Sequence, residues 1–129
     1  MKIEVSNGEI LDKISILSIK LRKITDLGKI ANVMAEHKIL QTHFDELLIT
    51  NELHELYIRL YAVNMQLWEV EDSLREMERR QDFGPAFVDL ARSVYILNDR
   101  RASIKKELNI LTNSTLIEEK SYADYENTN

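Results

Sequence analysis

Apolar residues recur along most of the chain at alternating steps of three and four, a spacing that places them on one face of a helix. Ser6 and Glu9 have the spacing of a capping box, which predicts that a first helix starts there. The main stripe of this helix consists of Ile14, Leu17, Leu21 and Ile24. Ile16 and Ile19 fall on nearly the opposite side, so we expect this helix to contact neighbours on two faces.

Three further helices are predicted after breaks at residues 25–28, 49–51 and 81–84. The first break is either a turn or a kink, because a single Gly costs only about 1 kcal/mol within a helix. The third helix carries a seven-residue apolar repeat from Leu53 to Met77, and the fourth, starting at Pro85, carries one that ends near Leu111. A second stripe on the third helix is either core or a partner-binding face: Ile58, Tyr61, Met65 and Trp68.

This pattern predicts an all-α protein with one domain over residues 1–129. The expected architecture resembles a four-helix bundle, in which helices three and four form a long antiparallel hairpin packed on helices one and two. Residues 1–8 are predicted to form a short extended arm, and residues 112–129 a partly frayed tail.

Composition narrows the classes of function. The chain is 44% hydrophobic and has a net charge of -5, so it lacks the concentrated positive charge that nucleic-acid binding needs. It contains no Cys, which suits a reducing compartment, and no apolar stretch near the roughly 20 residues of a membrane span. We therefore expect a cytoplasmic protein without nucleic-acid partners or membrane insertion.

Arg101 is the one charged residue in the otherwise apolar seam of the fourth helix, and a buried guanidinium is costly unless its charge and donors are satisfied. Antiparallel pairing of helices three and four predicts a polar layer of Asn64, Glu71, Asn98 and Arg101. In one interpretation this layer fixes helix register, or Arg101 reaches solvent. In the other, Arg101 forms an anion-binding cluster with Arg100 and Lys105.

The sequence lacks the motifs that usually bind a metal ion or a cofactor. None of the three histidines has a Glu three positions before it, so the Glu-x-x-His pattern of di-iron bundles is missing. Phosphate-loop, dinucleotide-binding and serine-hydrolase signatures are also missing. We predict neither a metal nor a cofactor.

Three segments have a familiar combination: EVSNGEILDKISILSIKLRKI at residues 4–24, DFGPAFVDLARSVYILNDRRASIKKELN at 82–109 and IEEKSY at 117–122. They resemble a family of small bacterial proteins known only as a domain of unknown function, often encoded among genes for lipopolysaccharide and other surface-glycan assembly. Ser18 departs from the resemblance, since the similar proteins usually carry an acidic residue there, and the second helix matches poorly. The positions that the resemblance marks as shared are Glu9, Asp12, Lys13, Lys20, Asp72, Arg92, Asn98, Asp99, Arg100, Arg101, Lys105, Glu118, Glu119, Lys120 and Tyr122.

Two functions compete. The first is a helical accessory or interaction protein, associated by resemblance with surface-glycan synthesis, that binds a protein partner or self-associates through the second faces of helices one and three, with a dimer favoured. The second is a small bundle enzyme or ligand binder for an anionic metabolite, held by Arg100, Arg101 and Lys105 with Lys13 or Lys20 nearby. A pocket lined by these cations between helices one and four would favour the second hypothesis, and their dispersal over solvated faces would count against it.

Overall fold

A computed structural model describes residues 1–126, which form four α-helices and no β-strand. The helices are α1 (Asn7–Lys23), α2 (Leu27–Leu47), α3 (Asn51–Arg79) and α4 (Pro85–Leu111). The all-α, four-helix prediction is confirmed. The predicted break at residues 25–28 separates two helices but lies at residues 24–26, since Leu27 and Gly28 already belong to α2. Residues 127–129 of the predicted tail lie outside the described part of the chain.

Side-chain caps fix where the first three helices begin. Ser6 Oγ accepts from the Glu9 amide at 3.2 Å, and Thr50 caps α3 through the Leu53 amide at the same distance. The start of α1 at Ser6 is thereby confirmed. The capping box is only half formed, however, because the Glu9 carboxylate bonds Lys105 of α4 in place of the Ser6 amide.

The hairpin of α3 and α4 forms the frame on which α1 packs, and α2 packs on the other side of α1. Leu11, Leu60 and Leu108 come from three different helices and are fully buried in the core. Ile19, on the second face of α1, is only 1% exposed. The two apolar faces of α1 are therefore explained by its position between α2 and the hairpin.

Burial is concentrated in one half of the hairpin. The buried residues of α3 lie between Leu53 and Asn64, and those of α4 between Leu97 and Asn109, where α1 covers both helices. No residue from 65 to 96 is buried. In the second stripe of α3, Trp68 is half-buried and Ile58 is 64% exposed.

The two ends of the described chain lie outside the helices. Residues 1–5 are exposed and precede α1, which includes Asn7 and Gly8, so the predicted arm of residues 1–8 is shorter than expected. Residues 112–126 form neither helix nor strand. The predicted fraying of the tail stays a prediction, although this segment contacts α1 and α4 through several side chains. Within residues 1–126, none of the helices combines the length and apolar character needed to cross a lipid bilayer.

Candidate functional site

A polar seam joins α1 to α4 with a regular register. Glu9 Oε2 accepts from Lys105 Nζ at 2.6 Å, and one turn further along α1 the carboxylate of Asp12 accepts from Arg101 at Nε (2.9 Å) and at a second guanidinium nitrogen. As residue numbers rise on α1 they fall on α4, so the two helices run antiparallel. A bidentate arginine–carboxylate contact fixes both distance and orientation between them.

Asp12 is 1% exposed and is satisfied from two helices. Besides Arg101, it accepts from Asn64 Nδ2 of α3 at 2.9 Å, and the same amide donates to Ser15 Oγ at 2.7 Å. Asn98 Oδ1 accepts from Arg101 at 3.4 Å. We call Asp12, Ser15, Asn64, Asn98 and Arg101 the central polar network.

Three residues of the predicted layer, Asn64, Asn98 and Arg101, belong to this network, whereas Glu71 does not and two residues of α1 join it. Glu71 does not reach Arg101, because it lies nearly two turns beyond Asn64 and pairs with Arg75 of its own helix at the surface. The carboxylate that neutralises Arg101 comes instead from Asp12 of α1. The predicted layer contained only residues of α3 and α4, whereas α1 packs against both helices beside Arg101.

The charge of Arg101 is held firmly. Its hydrogen bond to Asp12 raises the pKa of the guanidinium further above its ordinary value, against the opposing effect of burial. Three of its N–H groups are engaged with Asp12 and Asn98, and a guanidinium has additional donors. Its side chain is 29% exposed, so one side of Arg101 meets the buried acid and the other remains accessible.

α1 and α4 approach each other closely at Gly8. Its amide donates to Oδ1 of the buried Asn109 at 2.5 Å, and a Cβ added at Gly8 would lie 2.6 Å from the backbone oxygen of Lys105. Only a residue without a side chain fits this contact. The N-terminus of α1 is thereby pinned beside the accessible side of Arg101 and Lys105.

A cavity of about 690 Å³ lies between α4 and the C-terminal segment. We call it the α4 cavity. Arg101, Lys105 and Lys106 line it from α4, and Lys120 lines it from the segment. Tyr95 and Tyr125, whose rings meet edge to face at 5.1 Å, line it as well. The cavity therefore combines cations with aromatic surface.

Eight of the residues singled out by sequence line this cavity, and others stand behind it. The eight are Asn98, Asp99, Arg101, Lys105, Glu118, Glu119, Lys120 and Tyr122. Glu9, Asp12 and Asn64 support the lining residues from α1 and α3. The candidates that do not line the α4 cavity are Glu71, Arg100, Lys13, Lys20, Asp72 and Arg92.

Arg100 and Lys13 show how the remaining candidates are placed. Arg100 lies on another face of α4 and lines two other depressions, including one of about 510 Å³ beside Leu90 of the hairpin. Lys13 faces Glu36 of α2 at 4.0 Å. The cluster expected around Arg101 is therefore built with Lys105 and Lys106 rather than with Arg100.

Metal coordination has no evident site in the described chain. Among residues 1–126, no three acidic or histidine side chains converge closely enough to hold a metal ion. The lining of the α4 cavity combines four cations, whose ammonium and guanidinium groups can bind anions, with the carboxylates of Asp99, Glu118 and Glu119.

A family model covers residues 1–129, and its description is a family of unknown function, DUF6165. The chain belongs to the DUF6165 family. No curated protein and no solved structure matches it. The resemblance stated from the sequence is confirmed as far as membership of a family without an assigned activity.

Several residues of this DUF6165 site were not singled out from the sequence. Ser15 and Asn109 are buried polar side chains, while Lys106, Tyr95 and Tyr125 line the cavity. A signal for the seam was present: acids spaced three apart on α1, Glu9 and Asp12, match cations spaced four apart on α4. Nothing in the spacing showed that these two faces meet.

Proposed function

We propose that this protein binds an anionic small molecule in the α4 cavity. The observation that carries the proposal is the convergence of Arg101, Lys105, Lys106 and Lys120 on one cavity of about 690 Å³, in a chain whose net charge is -5. Pockets of this size accommodate metabolites of ordinary size. The four cations outnumber the three acids on the same lining, Asp99, Glu118 and Glu119, so the cavity carries net positive charge in an acidic protein.

The buried layer behind the cavity supports a binding role. Asp12 orients the guanidinium of Arg101, and Glu9 holds the ammonium group of Lys105, so both cations are fixed before any ligand arrives. Fixed donors lose less conformational entropy on binding than free side chains do. We regard Asp12 and Glu9 as positioning residues and the α4 cations as the contacts to the ligand.

The proposal is tested by isothermal titration calorimetry with pyrophosphate, uridine diphosphate and citrate at low ionic strength. Wild-type protein should bind at least one of these probes, and Lys106→Met should weaken that binding about five- to tenfold, since one charge-assisted contact is lost. Lys106 is exposed, so the substitution should leave the fold intact.

Lys38→Met is the matched control, because Lys38 is an exposed lysine of α2 and does not line the α4 cavity. It changes the net charge by the same amount and should leave affinity close to wild type. Equal losses in Lys38→Met and Lys106→Met, or no binding of any probe, would remove the proposal.

A second function is favoured by the outer side of α3. Ile58 is 64% exposed there, next to the half-buried stripe that includes Trp68. The second face of α1 is covered within the fold, since Ile19 is only 1% exposed, so we propose a homodimer, or docking of a protein partner, through α3 alone. Sedimentation velocity should give a dimer for wild type and a monomer for Ile58→Lys, and a wild-type monomer would contradict self-association.

The biological setting that we propose comes from the resemblance described above. It is an accessory role in bacterial surface-glycan assembly, with the protein in the cytoplasm and its ligand drawn from the anionic precursors of that chemistry. Fractionation of the native host, with the endogenous protein detected by antibody, tests the location. Recovery of the protein in the membrane or periplasmic fraction would contradict it.

A further inference from the structure

The segment after α4 turns back and closes one side of the α4 cavity. We call residues 114–126 the C-terminal strap. Apart from the ring contact between Tyr95 and Tyr125, its contacts are polar: Glu118 accepts from Ser6 Oγ at 2.7 Å, Glu119 from Lys106 at 2.9 Å, and Lys120 donates to Asp99 at 2.7 Å. Every residue from 115 to 126 is exposed, so no apolar core holds the strap in place.

The strap carboxylates lie on the cations that the proposed ligand would use. Glu118 Oε2 is 3.9 Å from Lys105 Nζ, and Glu119 accepts two hydrogen bonds from Lys106 Nζ, at 2.9 and 3.1 Å. The protein thus already holds two of its own anionic groups at the mouth of the cavity. An external anion has to compete with them for the same donors.

We propose that the α4 cavity takes an organic ligand with two anionic groups, such as a diphosphate or a dicarboxylate, and that this ligand displaces Glu118 and Glu119 of the C-terminal strap. This inference rests on the proposed function and names both the class of ligand and its internal competitor. The two carboxylates mark two anion subsites, one at Lys105 and one at Lys106.

The two subsites are held with different firmness. At the first, Lys105 keeps its bond to Glu9 when Glu118 leaves, so it stays oriented toward the cavity. At the second, Lys106 pairs with Glu119 between largely exposed side chains, 47% and 71% exposed. Exposed ion pairs contribute little to stability because water screens them, so the Lys106 subsite is the first to open.

The lining of the cavity explains why the ligand should be organic. Val94, Tyr95 and Tyr125 add apolar and aromatic surface beside the cations. Aromatic faces pack against the rings of sugars or bases, and an inorganic ion makes no use of them. We therefore expect uridine diphosphate to bind more tightly than pyrophosphate, and pyrophosphate more tightly than inorganic phosphate.

The test removes the strap charges without shortening the chain. The double variant Glu118→Gln/Glu119→Gln keeps the side-chain shape and should bind uridine diphosphate about three- to tenfold more tightly than wild type, as expected for the loss of two competing exposed ion pairs. Amide NMR resonances of Glu118 and Glu119 should shift when wild type is titrated with this probe, because their carboxylates leave Lys105 and Lys106.

The matched control is Glu52→Gln/Glu55→Gln, which makes the same change in net charge on exposed acids at the start of α3. An equal gain in affinity in both double variants would overturn the competition inference while leaving ligand binding intact. Unchanged strap resonances in the presence of saturating probe would do the same. Failure of every variant and of wild type to bind any probe would instead remove the proposed function itself.

Discussion

Arg101 is held in position by Asp12, which lies 89 positions earlier in the chain. Asp12 is buried, and its carboxylate accepts hydrogen bonds from both Arg101 and Asn64. Throughout the described chain, every buried polar side-chain atom has a hydrogen-bond partner. Low polarity around such a network strengthens each bond when all partners are present and makes the loss of one partner expensive. The network is therefore a point of high sensitivity to mutation.

Removing the cation should be strongly destabilising. Arg101→Met leaves the Asp12 carboxylate buried without its counter-ion, and we expect the free energy of unfolding to fall by about 3–5 kcal/mol. Arg100→Met is the matched control, because this neighbouring arginine is exposed, and it should change stability by no more than about 0.5 kcal/mol. Urea denaturation monitored by circular dichroism measures both, and similar losses for the two variants would contradict the role of the central polar network.

Tyr57 provides a test of burial at the contact between α2 and α3. Its ring packs edge to face on Phe44 at 4.9 Å, and burial raises the pKa of its hydroxyl above the ordinary 10.0, although a hydrogen bond with Ser18 opposes the shift. A raised folded-state pKa means that the associated stability is complete below pH 10 and is lost as pH rises through the folded-state value.

Tyr57→Phe should therefore flatten the decline of stability with pH above about pH 10. The measurement is the free energy of unfolding of the variant and of wild type at several alkaline pH values. Tyr122→Phe serves as control, since Tyr122 is 83% exposed, and its slope should match that of wild type. Equal slopes for all three proteins would show that Tyr57 does not contribute through its ionisation.

At the scale of elements, the fold depends on how closely α1 approaches α4. Helices pack at a distance set by the side chains between them, and Gly8 has no side chain at its contact with α4. Asn109 Oδ1 therefore accepts a hydrogen bond from the Gly8 amide, and Glu9 and Asp12 lie within reach of Lys105 and Arg101. One small residue thereby sets the register of the whole polar seam.

Gly8→Ala should destabilise the protein although alanine favours helices. The added methyl group would meet the Lys105 backbone oxygen at 2.6 Å, and displacing α1 should cost about 1–3 kcal/mol. Gly28→Ala is the control, because a Cβ added at Gly28 in the first turn of α2 would lie no closer than 3.4 Å to an Asp26 oxygen. The stability of this variant should stay within about 1 kcal/mol of wild type or rise. Thermal unfolding of both variants decides, and a Gly8→Ala variant as stable as Gly28→Ala would contradict the close packing.

The whole molecule has a firm half and a lightly covered half. Where α1 lies on the hairpin, α3 and α4 contribute buried leucines, whereas no residue of 65–96 is buried. Local opening of a helix is easier where fewer apolar contacts hold it. The α4 cavity lies beside the firm half, which suits a site that must keep its cations fixed.

Hydrogen exchange should reveal this division. Amides of α3 within residues 67–77 should exchange on the order of tenfold or more faster than those within 56–64, although both stretches are interior to the same helix. The measurement is native-state exchange followed by NMR. Uniform protection along α3 would mean that another surface, such as a second copy of the chain, covers the end of the hairpin.

The sequence by itself determined the four helices, their boundaries and the hairpin. Apolar spacing, the cap at Ser6, the break at residues 49–51 and Pro85 at the start of α4 act within a few residues, so they can be evaluated without knowledge of the fold. The same reading identified Arg101 as a residue in need of a partner and named Asn64 and Asn98 beside it.

Only the tertiary structure decided which acid that partner is and where the cations converge. Pairing of Arg101 with Asp12 rather than Glu71 depends on the rotation of α1 about its own axis and on its approach at Gly8, which apolar periodicity does not fix. The α4 cavity depends on the path of residues 114–126, a segment without periodic pattern. Helices form through local contacts, whereas a site built from residues about 90 or more positions apart exists only when those helices are packed.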